Sequence, residues 1–382
     1  MGNVSIVFCF NDRYCILAAG AIASLIKNTT SKYQYDLYIL HDDISEKNRY
    51  LINSLNDKEN IKISFLTVDP KTYFSGELFT RPRFSKNAYS RLFLHKVLPF
   101  LDKVLYLDAD LIINFDVAEL YNTDITNYSV AAVPEYTVAK VETEKLKSTK
   151  VFRDAPAEIR KYENYYNYFT QYMGYSQQEI DTYFNSGVLL INLKRAGKIL
   201  EGAPKLLNRR YLTHDQCILN ILFKDDKLIL EHKYNVWSNH VSKFINEHGK
   251  LPDIIHYYTA IKPHQSMSKP FESEYWKAIS PSAVYYPAIE GFVDNKINSN
   301  INNKLEKQLG TVQAMFNNDQ QLENLYYNLR RTHKRLRKRR VIRQISRFLV
   351  DSKRYKKLKQ NPGLFFADSK SSLIRFLGKF YK

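Results

Sequence analysis

Cysteine is scarce in this chain. Cys9, Cys15 and Cys217 are its three cysteines, and none stands at a CxxC spacing. That excludes a disulfide framework and a thiolate zinc site, and it fits a reducing compartment. A GxGxxG turn is missing after the first apolar run, which excludes the usual glycine cradle for a dinucleotide. The apolar stretch at 14–26 falls short of the ~20 residues that a membrane-spanning helix needs, and polar sequence follows it, so it reads as a buried helix. The first residues lack the basic leader and small-residue cleavage pattern of an export signal. MGNVSI also misses the myristoylation pattern, with Ile6 where Ser or Thr belongs. No internal repeat is evident.

What is present is ample core material: 382 residues, 44% hydrophobic, with 29 Tyr and 22 Phe, enough for one large domain or two smaller ones. The formal net charge of +18 raises the question of nucleic acid. Its location answers the question. Residues 330–382 hold 19 Lys and Arg against two acids, which leaves 38 bases and 37 acids in the rest of the chain. The body is nearly neutral, and the charge belongs to the tail.

Along the body, β and helical patterns alternate: VSIVFCF, a helix over 14–27, YDLYIL, a helix across SEKNRYLINSL, then IKISFLTV. Such alternation implies βαβ units and a largely parallel, Rossmann-like sheet, hence an α/β fold. SKNAYSRLFLHKVLP reads as helix up to Pro99, and KVLYLDADLII as strand. Residues 138–180 read as an inserted, tyrosine-rich helical excursion, YFNSGVLLINL as strand, HDQCILNILF as helix and PDIIHYY as a last strand. From about 281 the pattern becomes helical and polar. In 330–382, Ile342, Ile345, Phe348 and Leu349, and then Leu373, Ile374, Leu377 and Phe380, fall at helical spacing among basic residues, the mark of basic amphipathic helices.

The chemistry centres on LDAD. Asp108 and Asp110 follow a buried-strand pattern, and in open α/β sheets ligands bind outside the carboxyl ends of the strands. Residues two apart at a strand end point to one side, so both carboxylates can reach one hard divalent cation. The pair by itself is equally compatible with a turn-capping role.

YLDADLIINFDVAELYNTDI, YFNSGVLLINLKR, HDQCILNILF and HYYTAIKPH occur in the order and rough spacing of the family 8 glycosyltransferases, and the chain resembles that family over about residues 3–280. The resemblance implies a GT-A fold for 1–280, with a helical C-terminal extension over 281–382. It implies transfer of a hexose, galactose or glucose, from a UDP-sugar with retention, and Mn²⁺ as cofactor with Mg²⁺ possible. Asp108, Asp110 and His256 would be the metal ligands, a mixed N/O set that suits Mn²⁺. Lys262 and Arg91 would contact the diphosphate, with Ala109 between the two aspartates. Asn185, Asp215 and Gln216 would bind the donor sugar and line the reaction centre. Asp215 and Gln216 stand as the catalytic pair, and since an amide is a poor nucleophile, a front-face displacement is favoured. Phe8, Cys9, Asn11, Asp12 and Tyr14 would hold the uridine, and Glu135 would face the acceptor. The chain departs from the family pattern at Asn11 and Arg13, where Asp and Asn are common, and at Thr259 and His264, where Gly and Trp are usual.

The expected acceptor is a surface glycan such as lipooligosaccharide, lipopolysaccharide or capsule, with a protein acceptor as the alternative. Residues 330–382 are expected to bind an anionic membrane, placing the chain in the cytoplasm on the inner face of the membrane. A nucleic-acid-binding role for the basic tail is the competing class. The neutral body, which lacks RNA-binding signatures, argues against a nucleic-acid partner.

Overall fold

The computed structural model describes residues 2–294 except 75, 77, 80–85, 260, 261 and 266–270. The basic segment 330–382 and its expected helices lie outside the described residues; of the extension from 281, residues 285–294 are helical. A compact unit comprises Met1–Pro263 and Ser268–Val284, and it holds the whole of the site.

The strand-helix alternation is realised as β1 (Gly2–Cys9), β2 (Tyr33–His41) and β3 (Ile61–Thr67), with the helices Cys15–Asn28 and Glu46–Asn53 between them. A helical crossover returns the chain in the same direction, so β1 pairs parallel with β2 and β2 with β3. β4 (Lys103–Leu107) lies parallel on the other side of β1. After β5 (Leu111–Ile113) come β6 (Val130–Pro134), β7 (Phe184–Asn192) and β8 (Lys227–Ile229). The seven-stranded order is β3-β2-β1-β4-β7-β6-β8, and β7 runs antiparallel to both β4 and β6. Order reverses between β1 and β4, and the carboxyl ends there frame a crevice. β5 joins β9 (Val236–Trp237) and β10 (Ile254–His256) in a second, three-stranded sheet.

Burial follows from this layering. Every residue of β7 except Asn192 is buried, which explains why FNSGVLLIN reads as a continuous rather than an alternating run. The helix Cys15–Asn28 carries Ala18, Ala19, Gly20 and Ala21 in succession because the helix Glu272–Ile279 packs closely on it. A Cβ on Gly20 would lie 2.3 Å from the Tyr275 ring.

Two stretches expected to be helical take a more particular form. The stretch expected to be one helix to Pro99 is a 3-10 helix, Lys86–Phe93, followed by one turn, Leu94–Val97. Six of the eight 3-10 residues are buried, Asn87, Ser90 and Arg91 among them, so surrounding contacts set the winding and not an amphipathic stripe. The tyrosine-rich excursion is helical only in short pieces. Tyr165, Tyr168, Phe169 and Tyr175 are buried there, with Phe169 edge to face against Tyr165 and Tyr168 and tilted 37° to Tyr175, so a polar-looking sequence makes a core of rings.

Candidate active site

Asp108, Ala109 and Asp110 fill the gap between β4 and β5. The Asp108 N–H donates to Gly187 O at 2.8 Å, and the Tyr257 N–H donates to Asp110 O at 2.8 Å. Backbone bonds to β7 and to the residue after β10 thus fix both aspartates where the two sheets meet. In register, His256 of β10 lies opposite Leu111 of β5. Asp108, Asp110 and His256 each offer a ligand atom, all within 4.8 Å of one another.

The His256 ring is set for ligation. Its Nδ1 is 2.9 Å from Asn235 Oδ1, and the Asn235 amide nitrogen donates to Asn185 Oδ1 at 2.9 Å. Because Asn235 presents its oxygen, Nδ1 is the donor nitrogen, and Nε2 is turned toward the aspartates, 3.3 Å from Asp110 Oδ1. A Cβ on Gly187 would stand 2.5 Å from His256 Cε1 and 3.0 Å from Asp108 Oδ2. The space between the ligands therefore exists only because residue 187 has no side chain. Two carboxylates and one imidazole in an open cradle fit a divalent cation.

Charge points the same way. Arg91 is buried; its Nη2 is 2.8 Å from Asp108 Oδ1 and its Nε is 3.1 Å from Asp215 Oδ2, while Nη1 donates to Ser186 O at 2.6 Å. Its guanidinium also lies over the Tyr106 ring, 4.2 Å from the centroid. Burial works against the charge on Arg91, but Asp108 and Asp215 outweigh it and keep the group protonated. Lys262 Nζ donates to Asp110 Oδ2 at 2.6 Å and to Tyr257 O at 2.7 Å. Burial would raise Asp110, yet Lys262 and His256 hold its carboxyl well below the usual range. Burial pushes Asp215 up to about 6 against the pull of Arg91. Burial likewise raises Glu135, against hydrogen bonds from Asn185 and Thr137. Asp108 and Asp215 share Arg91 while Asp110 pairs with Lys262, so carboxyl groups outnumber the cations paired with them at the site.

Asp215 and Gln216 begin the helix Asp215–Leu222. Before them His214 adopts φ 47 and ψ −116, a conformation that costs a non-glycine residue about 1–3 kcal/mol and aims the helix start at the site. Gln216 Oε1 accepts from the Ser186 N–H at 3.1 Å, and its Nε2 lies 3.4 Å from Glu135 Oε2. Asn185 Nδ2 donates to the same Glu135 oxygen at 2.7 Å. His256, Asn235, Asn185, Glu135 and Gln216 thus form one connected network.

On the far side of β1, Phe8 is wholly buried, so only its backbone is available, and burial pushes the Cys9 thiol up to about 12, which keeps it protonated. Asn11 Oδ1 is buried and has no hydrogen-bond partner among the described residues. Asp12 Oδ1 is taken up by the Ser45 N–H, the Ser45 hydroxyl and Asn48 Nδ2, at 2.9, 2.8 and 2.7 Å, so its carboxylate braces the loop. Burial raises the Tyr14 hydroxyl, with opposing influences from Lys262 and Asp110.

Sequence reading missed Asn235, Tyr106, Ser186 and Asn220. Tyr106 was detectable, because it sits two residues before Asp108 and shares its face, and its hydroxyl donates to Asp108 Oδ1 at 2.9 Å. Gly187 also carried a signal, since glycine inside a strand marks a close approach. Asn235 gave none; its role comes from the pairing of β9 with β10.

The family model for Glycosyl transferase family 8 matches residues 5–268. A putative glycosyltransferase of Haemophilus influenzae is 30% identical over 61% of this chain and 63% of its own length. The lipopolysaccharide 1,2-glucosyltransferase of Escherichia coli K12 is 26% identical over 75% of this chain and 79% of its own. Among solved structures, the bifunctional glycosyltransferase WbbM superposes with a TM-score of 0.63 at 22% identity, over 76% of this chain and 51% of that one. The galactosyltransferase LgtC, with donor and acceptor sugar analogues, gives 0.58 at 23% identity, over 73% and 96%. The chain thus spans about three fifths of the Haemophilus relative and half of WbbM, and the two structural likenesses concern the fold.

Proposed function

Since this chain belongs to glycosyl transferase family 8, we propose that it moves a hexose from a UDP-sugar to a glycan acceptor of the lipooligosaccharide kind, with retention at the anomeric carbon and with manganese bound. The GT-A fold expected from the sequence agrees with the likeness to LgtC. The observation that carries the reading is the cradle of Asp108, Asp110 and His256, kept open by Gly187 and oriented by Asn235. A divalent cation held there would neutralise charge on the departing nucleoside diphosphate.

The chain's own groups supply the remaining functions. Asn11 offers a buried acceptor, without a partner among the described residues, that suits the N3–H of uracil, with Tyr14 three residues on as a stacking group. Arg91 and Lys262 bring positive charge to the diphosphate side. Gln216 has its oxygen bound to the Ser186 N–H, which makes it a positioned dipole rather than a free nucleophile and supports front-face displacement. Glu135, in contact with Asn185, faces the acceptor side. The name of the E. coli relative supports lipopolysaccharide as the acceptor class. The basic residues of 330–382 would add roughly 1 kcal/mol each near an anionic surface, which supports a peripheral membrane location on the cytoplasmic side.

The test is release of UDP from UDP-glucose, UDP-galactose and their N-acetyl derivatives, with and without Mn²⁺. Turnover of one donor that stops on chelation is expected. Absence of both turnover and binding with every UDP-sugar would refute the reading.

A further inference from the structure

An aromatic cluster flanks the site, and neither the cation cradle nor the uridine pocket uses it. β9 runs parallel to β10 with Trp237 in register with His256, so the indole stands beside a cradle ligand. Two residues beyond His256, the Tyr258 ring lies on Trp237 with centroids 3.6 Å apart and planes 25° apart. Tyr136, directly after Glu135, packs against His232 at 4.2 Å, His240 at 5.1 Å and Trp237 at 5.4 Å. Trp237 is 3% exposed and Tyr258 40%. One face of the Tyr258 ring is therefore backed by a rigid indole, while the residue keeps 40% of its surface exposed.

Tyr136 OH, His232 Nε2 and Trp237 Nε1 are buried without hydrogen-bond partners among the described residues, whereas Tyr258 is the ring of the stacked pair that a ligand can reach. Glu135 is close enough to influence the Tyr258 hydroxyl, which burial raises first and Glu135 raises further. That carboxylate repels a diphosphate and so reserves the flank for a neutral ligand.

A pyranose ring answers this description. It presents a flat apolar face of axial C–H bonds, which matches an exposed aromatic plane held rigid from behind. A serine or threonine hydroxyl has no ring to stack. We propose that Tyr258, backed by Trp237, is the stacking platform for a pyranose of the acceptor. The proposal rests on the transfer reading above and adds to it the side chain that holds the acceptor ring.

The test uses the full chain with Mn²⁺ and saturating UDP, titrated with methyl glucopyranosides, methyl galactopyranosides and lactose, and with acyclic threitol as control. Ligand-observed saturation-transfer NMR gives affinity and the ring face in contact, and UDP affinity is measured separately by calorimetry. Binding of at least one pyranoside through its axial C–H face is expected, with no response from threitol. Tyr258→Ala weakens that binding at least tenfold, while Tyr258→Phe keeps it and UDP affinity holds in both variants. If UDP binds but no pyranoside does, or if Tyr258→Ala binds pyranosides like the parent, the platform is overturned and the transfer reading stands. If Tyr258→Phe loses binding as Tyr258→Ala does, the hydroxyl and not the ring is responsible, and stacking is overturned. Failure to bind UDP at all overturns both.

Discussion

Asn235 accepts from His256 and donates to Asn185, and both bonds are buried. Asn235→Ala removes the partner that fixes the His256 tautomer, and manganese affinity should fall about 10- to 100-fold, as read by electron paramagnetic resonance of free Mn²⁺. Gly187→Ala acts on the same cradle by filling it. Its Cβ would stand 2.5 Å from His256 Cε1. Loss of manganese binding with a fold destabilised by only about 1–3 kcal/mol is expected, checked by the same titration and by thermal unfolding. Asp215 gives a pH signature. Its pKa rises from 3.8 to about 6, so between those values the folded chain holds a proton that the unfolded chain has lost, and stability declines as pH rises through that window. Urea unfolding should show Asp215→Asn gaining on the parent by up to about 3 kcal/mol between pH 4 and 6 and no further above it. A carboxylate that costs stability at neutral pH marks a site shaped for chemistry rather than for the fold.

Asn220 ties the helix Asp215–Leu222 to β7, as Gln216 does one turn earlier. Asn220 Oδ1 accepts from the Phe184 N–H at 2.8 Å, and its Nδ2 donates to Phe184 O and Gln216 O at 2.9 Å each. Asn220→Leu leaves two backbone groups of β7 unpaired and should cost about 2–4 kcal/mol, seen as a melting point lowered by several degrees. It should also loosen Gln216 and so lower turnover. At this scale the strands of the main sheet were readable, because alternation and unbroken apolar runs report burial directly. LDAD was readable because a strand end carries its own signal. The 3-10 helix around Arg91 was not, since its winding answers to groups far away in sequence, Asp108, Ser186 and Asp215. The tyrosine core of 138–180 was hidden for a related reason, as hydroxyls make the stretch look polar while the rings do the packing.

For the whole molecule, charge and chemistry are separated along the chain. Of the +18 formal charge, the tail from 330 holds all but about one unit, while the site residues lie between 8 and 262. Removing residues 330–382 should abolish sedimentation with anionic liposomes and leave UDP release on a soluble acceptor unchanged; retained sedimentation would assign membrane binding to the body. Within the body, Lys262 Nζ lies 2.6 Å from Asp110 Oδ2 and His256 Nε2 lies 3.3 Å from Asp110 Oδ1. One carboxylate thus anchors the end of β10 and the chain after it to the turn between β4 and β5. A change at Asp110 would therefore be felt twice, in the charge of the site and in the course of the chain beyond His256.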